Sequence, residues 1–277
     1  MNRIGILHHP RKPRSLTLAE EMASMLRQRG CEPWVGSSWD EAAIAARVAT
    51  LDLIITLGGD GTILRAARLG ARHEVPILGV KMGHVSFLGE ISPDEWEEPL
   101  ARVLAGEHWL EEHMMLRVAA WRGDVAINRT HEALNDVVVS RGSLARIVHI
   151  TARVDGSELT TYSADGVIVS TATGSTGYAL AVGGPVLPPE LKNILLIPIA
   201  PYLSLDRAVV LPQGATVELQ VFTGHQAILT VDGQYQVELQ SGDLVRVTAS
   251  PHVARFVRLQ NRAYFYQTLL ERLRWKG

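Results

Sequence analysis

The sequence has very little cysteine and no excess of positive charge. Cys31 is the single cysteine among 277 residues, which excludes an intramolecular disulfide and leads us to expect a cytoplasmic protein. Lysine and arginine number 27 against 29 aspartate and glutamate, for a formal net charge of −2. This balance argues against a dedicated nucleic-acid-binding protein, so we expect no nucleic-acid partner.

Long apolar runs are also missing. The longest stretch, from Ile194 to Leu205, contains Pro198 and Pro201. It is too short to cross a bilayer, so we expect no membrane partner. The histidines do not form a HExxH motif or another metal-ligand spacing, so we expect no structural zinc and assign no residue as a metal ligand.

The composition is that of a folded, soluble protein, with 47% hydrophobic and 20% charged residues. A chain of this length can form two domains. The first third alternates strand-like and helix-like segments, which predicts an α/β domain with a parallel sheet covered by helices. The segments are strands over Arg3–His8, Leu51–Leu57 and Ile77–Val80, a helix with Leu16, Ala19, Met22, Ala23 and Leu26 on one face, and a helix after Thr62. Two capping boxes, Thr17–Glu20 and Ser92–Glu95, predict helix starts.

From about Met114 the segments become short and rich in β-branched residues, which predicts an all-β, sandwich-like second domain. The pairs Asp155-Gly156 and Asp232-Gly233 predict hairpin turns. The predicted strands are Leu116–Trp121, Asp136–Ser140, Ile147–Val154, Gly166–Thr171, Thr216–Phe222, Ala227–Val231, Tyr235–Leu239 and Leu244–Ala249. A C-terminal amphipathic helix follows, with Tyr266, Leu269, Leu270 and Leu273 on one face. Trp34, Trp39, Trp96 and Trp109 are interpreted as core or interface residues.

A glycine-rich pentapeptide, Gly58-Gly59-Asp60-Gly61-Thr62, stands between a predicted strand and a predicted helix. Glycines let the backbone turn sharply and approach an anion, and the N-terminus of the helix favours phosphate. An aspartate in such a site repels phosphate unless a metal ion, or a hydroxyl about to lose its proton, lies between them. We therefore interpret Asp60 as a catalytic base or orienting group. The alternative is that Asp60 caps the helix.

A second loop of small and hydroxyl-bearing residues runs from Asp165 to Tyr178. Its hydroxyls donate and accept hydrogen bonds, which suits a base or a ribose, and Tyr178 offers a ring face. The loop is not a Walker motif, because no Gly-Lys-Ser/Thr follows, and its Gly-Ser-Thr-Gly order is not that of a hydrolase elbow. A surface loop without a ligand is the alternative interpretation.

Together the two loops resemble those of the NAD kinase family. The resemblance rests on five motifs in order: Gly58–Thr62; Pro76–Val80 through Phe87-Leu88; Asn135-Asp136; Asp165–Tyr178 continuing into Gly183–Pro185; and Asp232–Gln234. The first motif also occurs in lipid and sugar kinases, so the combination carries the resemblance. This sequence has Lys81 for a usual asparagine, Ser86 for a glycine, Ala172 for a proline and Tyr202 for a histidine.

The resemblance implies an activity. Members of the family transfer a phosphoryl group from ATP, or from polyphosphate in some members, to the 2′-hydroxyl of the adenosine ribose of NAD, and they need Mg²⁺. Asp60 would lie at that hydroxyl, with Gly58, Gly59, Gly61 and Thr62 lining the phosphate region. Asn135 and Asp136 would hold ribose hydroxyls. Phe87, Thr173, Ser175, Thr176 and Tyr178 would surround adenine and its sugar, and Asp165 and Asp232 would make further polar contacts.

The resemblance also implies an organisation and an assembly. It predicts an α/β phosphate-binding domain over residues 1–108, a β-rich NAD-binding domain over residues 109–255, and a segment, residues 256–277, whose helix packs back on the first domain. A homodimer or homotetramer is expected. Two alternatives stay open: a lipid or sugar kinase that shares the first motif, and an NAD-binding paralogue without catalytic activity, for which Lys81, Ser86 and Tyr202 are the motivation.

Overall fold

The computed structural model describes residues 1–83, 86–142 and 146–273. Arg274, Trp275 and Lys276 of the predicted tail, and His84 and Val85 of the second motif, lie outside the described residues. The chain divides into two compact units. The first combines Met1–Glu112 with the segment that begins at His252, and the second is His113–Pro251.

The first unit begins with alternating strands and helices. In chain order these are β1 (Arg3–His8), α1 (Pro13–Gln28), β2 (Glu32–Ser37), α2 (Glu41–Val48), β3 (Leu53–Gly58), α3 (Asp60–Gly70), β4 (Ile77–Lys81) and α4 (Glu97–Leu104). Strand β1 pairs in parallel with both β2 and β3, and β3 pairs in parallel with β4. The strand order is therefore β2-β1-β3-β4, as in a doubly wound sheet.

The second unit is built from antiparallel strands. Strand β5 (Trp109–Arg122) begins in the first unit and ends in the second. It is followed by β6 (Val125–Ala126), β7 (His131–Ala133), β8 (Asp136–Arg141), β9 (Val148–Val154), β10 (Ser157–Ala164), β11 (Gly166–Thr171), α5 (Tyr178–Ala181), β12 (Asn193–Ile199), β13 (Val209–Pro212), β14 (Val217–Phe222), β15 (Ala227–Val231) and β16 (Tyr235–Leu239). Strand β17 (Leu244–Arg258) returns to the first unit, and α6 (Tyr264–Leu273) ends the described chain.

Two sheets of the second unit share one apolar core. One is six-stranded, in the order β13-β12-β11-β8-β15-β16, and the other includes β10, β9, β14 and the first part of β17. Alternate residues point inward: Val137 and Val139 of β8 lie in the shared core, whereas Val138 faces a smaller cluster with Ala179 of α5. This period of two is the pattern that the sequence predicts for strands with one face on the core.

The fold class predicted from the sequence is confirmed: a parallel α/β unit precedes an antiparallel β-sandwich. The turns at Asp155-Gly156 and Asp232-Gly233 are also as predicted, since all four residues have positive φ, between 49° and 81°, as type I′ hairpin turns require. The segment after β17 belongs to the first unit. There the Trp109 indole N–H donates a hydrogen bond of 2.7 Å to the carbonyl oxygen of Gln260.

Both predicted capping boxes are wrong. Helix α1 begins at Pro13, with Lys12 as N-cap, so that Thr17 lies inside the helix. Proline is favoured in the first helical turn, where its missing N–H is not needed. Helix α4 begins only at Glu97. Leu16 is 40% exposed, and Leu18 takes its place on the buried face of α1.

None of the helices in the described part of the chain is both long and apolar enough to span a bilayer.

Candidate functional site

The first glycine-rich loop lies at the carboxyl edge of the parallel sheet. Gly58 is the last residue of β3, and α3 begins two residues later at Asp60. Strand β3 is buried along its whole length, because it lies between β1 and β4. The chain leaves β1 toward β2 on one side and β3 toward β4 on the other, so the loop flanks the switch point of the sheet. Ligands of doubly wound sheets bind at that point.

Gly58 and Gly59 differ in whether the fold requires a glycine at that position. A Cβ on Gly58 would lie 2.2 Å from the hydroxyl oxygen of Thr62, so the packing of this turn itself requires glycine. A Cβ on Gly59 would meet nothing within 4 Å. Gly59 also has φ −95° and ψ −175°, an extended conformation that any residue adopts. The fold therefore does not require glycine at position 59, and open space in front of the helix N-terminus is left for a ligand.

Asp60 does not cap its helix. Gly59 is the N-cap residue of α3, and no side chain caps that end. The Asp60 carboxylate instead accepts hydrogen bonds from the Ser86 hydroxyl and, at 3.2 Å, from the backbone N–H of Phe87. The Ser86 hydroxyl in turn accepts a hydrogen bond of 2.8 Å from the backbone N–H of Gly89. The carboxylate is thus fixed from outside the helix, as an orienting group must be.

Lys81, a departure from the usual family residue, lies beside this loop. It ends β4 and is the register partner of Gly58 in β3. Its side chain is half-buried. An additional positive charge therefore lies next to the phosphate-type turn, where it favours an anion.

In the second unit, Asp232 ties the start of β8 to the turn after β15. Its carboxylate accepts hydrogen bonds from three consecutive backbone N–H groups, those of Leu134, Asn135 and Asp136, at 2.9, 2.8 and 3.1 Å. Its own N–H donates to the carbonyl oxygen of Asp136 at 2.9 Å. Asp232 therefore has a structural reason to be an aspartate, independent of any ligand.

Asp136 is a buried carboxyl group next to that carboxylate. Burial, and secondarily the charge of Asp232, raise the pKa of Asp136 from 3.8 to about 7. The residue is 7% exposed and faces Ser170 across the ladder between β8 and β11. Near neutral pH this group is therefore partly protonated and can donate a hydrogen bond, which an ionised carboxylate cannot.

Asn135 has one free acceptor. Its backbone carbonyl oxygen accepts hydrogen bonds from the Thr171 N–H at 2.9 Å and from the Ser170 hydroxyl at 3.0 Å. Its side-chain oxygen Oδ1 is buried and has no hydrogen-bond partner among the described residues. A buried acceptor without a partner destabilises a protein unless water or a ligand supplies a donor. This atom is accordingly a candidate ligand contact.

The hydroxyl groups of the second loop have mixed roles. Thr173 shares a hydrogen bond of 2.9 Å with the ring nitrogen Nδ1 of His113, and both residues are buried. The Ser175 hydroxyl is bonded to the backbone of Leu187 in both directions, accepting at 2.9 Å and donating at 3.3 Å. Thr176 donates to the carbonyl oxygen of Thr173 at 3.2 Å. Tyr178 is 45% exposed, so its ring is accessible.

Asp165 lies apart from the other predicted residues of this unit. It precedes β11, whereas Thr171 ends that strand, so the two ends are about 20 Å apart at 3.3 Å per residue. The Asp165 carboxylate accepts a hydrogen bond of 2.8 Å from the Arg141 side chain. Its predicted ligand contact stays a prediction, and the arrangement of this unit gives it no support.

The structure thus groups the predicted residues unit by unit. In the first unit Gly58, Gly59, Gly61, Thr62 and Asp60 form one turn, and Phe87 contacts it through its backbone. In the second unit Asp232 binds the backbone of Asn135 and Asp136, and these two residues meet the end of β11 at Ser170 and Thr171. The hydrogen bond between Ser86 and Asp60 and the position of His113 beside Thr173 were not predicted from the sequence. Ser86 was visible as a departure from the family pattern, but His113 carried no signal.

Comparison with known proteins identifies relatives over the whole chain. The ATP-NAD kinase N-terminal domain family matches residues 15–108, and the ATP-NAD kinase C-terminal domain family matches residues 134–259. The chain is 44% identical to an NAD kinase of Chloroflexus aurantiacus over 274 residues, 99% of each protein. It is 42% identical to an NAD kinase of Dehalococcoides mccartyi over 272 residues, 98% of this chain and 96% of the relative.

Solved structures agree with these relatives. The crystal structure of an NAD kinase from Archaeoglobus fulgidus in complex with ATP has 29% identity and a TM-score of 0.79, covering 99% of this chain and 100% of the other. The structure of yeast NADH kinase complexed with NADH has a TM-score of 0.84 and covers 100% of this chain and 89% of the other. At 24% identity, the yeast enzyme supports the fold alone.

Proposed function

The chain belongs to the NAD kinase family, and on that premise we propose that it transfers the γ-phosphoryl group of ATP to the 2′-hydroxyl of the adenosine ribose of NAD, which forms NADP. The observation that carries this proposal is the position of Asp60 in the first unit. Its carboxylate stands at a helix N-terminus suited to phosphate, yet it is held by Ser86 and Phe87 rather than by its own helix.

Asp60 is proposed to act on the acceptor hydroxyl. A ribose hydroxyl is a weak nucleophile at neutral pH, and a carboxylate within hydrogen-bond reach orients it and takes up its proton. The phosphoryl group itself requires in-line positioning and charge stabilisation more than covalent chemistry. The N–H groups at the start of α3 and the charge of Lys81 supply such stabilisation on the protein side.

Magnesium is proposed as the metal cofactor. Mg²⁺ retains several waters and is commonly bound by one or two carboxylates together with substrate phosphates. Asp60 is a carboxylate at the phosphate-type turn, so the residues of the first unit fit a metal that arrives with the donor. When bound, such an ion neutralises charge on the transferred phosphoryl group.

The second unit is proposed to recognise the nucleotide acceptor. The orphaned Oδ1 atom of Asn135 can accept a hydrogen bond from a ribose hydroxyl or an adenine amino group. Asp136, partly protonated near neutral pH, can donate one. Thr173, Thr176 and Tyr178 border the same loop, whereas the hydroxyl of Ser175 is engaged by the backbone and is proposed to shape the loop.

We further propose that the enzyme works in the cytoplasm as a homodimer or homotetramer. The single cysteine is compatible with a reducing compartment, and the assembly is an expectation from the family. Light scattering coupled to gel filtration measures the assembly directly. A monomeric mass at micromolar concentration would contradict it.

The test of this function is kinetic. Asp60→Asn is expected to lower kcat for NADP formation by about 10²- to 10⁴-fold, the range that general-base catalysis contributes, while calorimetry shows NAD binding changed less than about threefold. Gly59→Ala is expected to fold normally, because a Cβ there meets no atom, and to lose turnover. Asp94→Asn, on an exposed carboxylate of the same unit, is the control.

Other results would change the assignment. Wild-type turnover in Asp60→Asn would remove Asp60 as the base. NAD binding with no turnover by the wild-type protein, whether ATP or polyphosphate is supplied, would favour the non-catalytic paralogue. Phosphorylation of a lipid or a sugar without NADP formation would favour the other kinase class.

A further inference from the structure

The carboxyl edge of the parallel sheet carries a group of basic and aromatic residues, of which the proposed chemistry uses only Lys81. Strands β1, β2, β3 and β4 end at this edge, at His8, Ser37, Gly58 and Lys81. The loop after β1 contains His9, Arg11 and Lys12, and Trp39 follows β2. We call His9, Arg11, Lys12, Trp39 and Lys81 the cationic rim.

The arginine and lysine charges of the rim are not engaged in ion pairs with carboxylates in the described part of the chain. Among the residues that the structure describes, Arg11, Lys12 and Lys81 form no ion pair. The two acidic side chains nearest in sequence are engaged elsewhere: Asp40 accepts the Ala43 N–H at 2.9 Å, and Glu41 pairs with Arg65 and Arg68 of α3. Unpaired cations held close together are the electrostatic pattern of an anion site.

The pKa of His9 shows that positive charges lie close to its ring. Burial lowers the pKa of His9 below its usual value, and the charges of Lys12, Arg11 and Arg65 act in the same direction. Two polar atoms beside it, Nδ1 of His8 and the hydroxyl of fully buried Ser38, are buried without a hydrogen-bond partner among the described residues. Buried polar groups of this kind indicate that a further polar species completes the edge.

A continuous set of contacts joins the rim to the glycine loop. The Lys12 ammonium donates a hydrogen bond of 3.0 Å to the carbonyl oxygen of Met82, and the Met82 N–H donates to the carbonyl oxygen of Gly58 at 2.9 Å. Lys81 is the register partner of Gly58. The loop after β1 and the loop after β3 flank the switch point of the sheet from its two sides. An extended anion that begins at Gly58 therefore reaches Lys12 and then Arg11.

Trp39 follows Arg11 in this series of contacts, at the end away from Gly58. It is 46% exposed, although the sequence suggested a core or interface residue. The Arg11 guanidinium lies 4.7 Å from the centre of the Trp39 ring, and the His9 ring packs edge-on at 5.6 Å. An accessible aromatic ring next to arginine is a surface on which a nucleobase stacks.

We propose that the cationic rim is the binding site of the phosphoryl donor and that it selects a nucleoside triphosphate. The phosphate chain runs from the glycine loop along Lys81, Lys12 and Arg11, and the base stacks on Trp39. This inference rests on the proposed function, since it assigns the donor of that reaction. Inorganic polyphosphate has the phosphates but no base, so Trp39 distinguishes the two donors whereas the cations do not.

Calorimetric titration with ATP and with inorganic tripolyphosphate, each with magnesium, tests the proposal. Trp39→Ala is expected to weaken ATP about tenfold and to leave tripolyphosphate unchanged, and Trp39→Phe should restore most of the ATP affinity. The double variant Arg11→Gln/Lys12→Gln is expected to weaken both ligands about tenfold or more. Arg27→Gln, an exposed residue at the end of α1, should change neither.

Each of the following results would overturn one part of this proposal. Unchanged ATP affinity in both variants would show that the rim does not bind the donor. An equal loss of tripolyphosphate in Trp39→Ala would overturn the stacking of the base. Weakened NAD with unchanged ATP would assign the rim to the acceptor. Because the titrations need no turnover, ATP binding at the rim is measurable even in a chain that forms no NADP, which keeps failure of this inference apart from failure of the proposed function.

Discussion

Replacing Asp136 by asparagine is predicted to stabilise the protein, and the gain is predicted to increase with pH. In the folded chain burial, followed by the charge of Asp232, raises the pKa of Asp136 from 3.8 to about 7. The folded state therefore binds more protons than the unfolded state between these values. By linkage, the free energy of unfolding decreases as the pH rises from about 4 through about 7, and it changes little above that range.

The magnitude follows from the two pKa values. Each unit of pKa difference corresponds to about 1.36 kcal/mol. Relative to acid conditions in which Asp136 is protonated in both states, this difference lowers the free energy of unfolding by about 2 kcal/mol at about pH 5 and by about 4 kcal/mol at about pH 8. Asparagine has nearly the same shape and no charge to bury. The stability advantage of Asp136→Asn over wild type should therefore grow by about 2 to 3 kcal/mol across this pH range.

The assay is urea unfolding of both proteins at a series of pH values, monitored by far-UV circular dichroism. Asp124→Asn, in the exposed turn between β5 and β6, is the matched control and should show a constant difference from wild type. Calorimetry with NAD on Asp136→Ala, which removes the hydrogen-bond donor at this position, should show weaker binding at neutral pH. A stability difference that does not change with pH would refute the reasoning, because Asp136 would then be equally ionised in the folded and unfolded chains.

Two predictions concern the backbone around Asn135. Asp232→Ala removes the acceptor of three backbone N–H groups and should lower the free energy of unfolding by at least about 3 kcal/mol, since each buried unsatisfied group costs about 1–3 kcal/mol; a loss under 1 kcal/mol in urea unfolding would contradict it. Gly174→Ala should unfold at clearly lower temperature than Gly177→Ala, because the new Cβ would lie 2.2 Å from the Asn135 carbonyl oxygen, against 3.3 Å for the nearest atom at Gly177; equal melting temperatures would contradict it.

Segments with strong local signals were predicted well from the sequence. Strands β1, β11, β15 and β16 have the predicted limits. Their apolar residues alternate or run continuously between turn residues, and this local pattern determines both their type and their ends. The Gly58–Thr62 turn was equally visible, because three glycines between a strand and a helix have few other uses.

Helix starts and weakly patterned strands were not predictable in this way. The capping box at Thr17 has the right spacing, but the chain already enters α1 at Pro13, where the Ser15 hydroxyl bonds to the carbonyl oxygens of His9 and Lys12. Strand β2 was missed because it contains proline and glycine. Its pairing with β1 depends on contacts with distant residues, which no local pattern reports.

The polar contacts of the candidate site are set by distant partners. Ser86 reaches Asp60 across 26 residues of sequence, and Asp232 reaches Leu134 across 98. Residue type identified Asp60, Asp136 and Asp232 as candidates. It did not show that Asp60 is held by hydrogen bonds from Ser86 and Phe87, that Asp136 is a buried acid, or that Asp232 binds backbone N–H groups. These differences come from burial and hydrogen bonding in the folded chain.

The most direct measurement is the identity of the product formed from ATP, Mg²⁺ and NAD. Phosphorus NMR of the purified nucleotide product should show a monoester on the 2′-oxygen of the adenosine ribose, with the initial rate of its formation lowered about 10²- to 10⁴-fold in Asp60→Asn. A phosphate on any other hydroxyl, or an unchanged initial rate in the Asp60→Asn protein, would contradict the assignment of Asp60 to the acceptor oxygen.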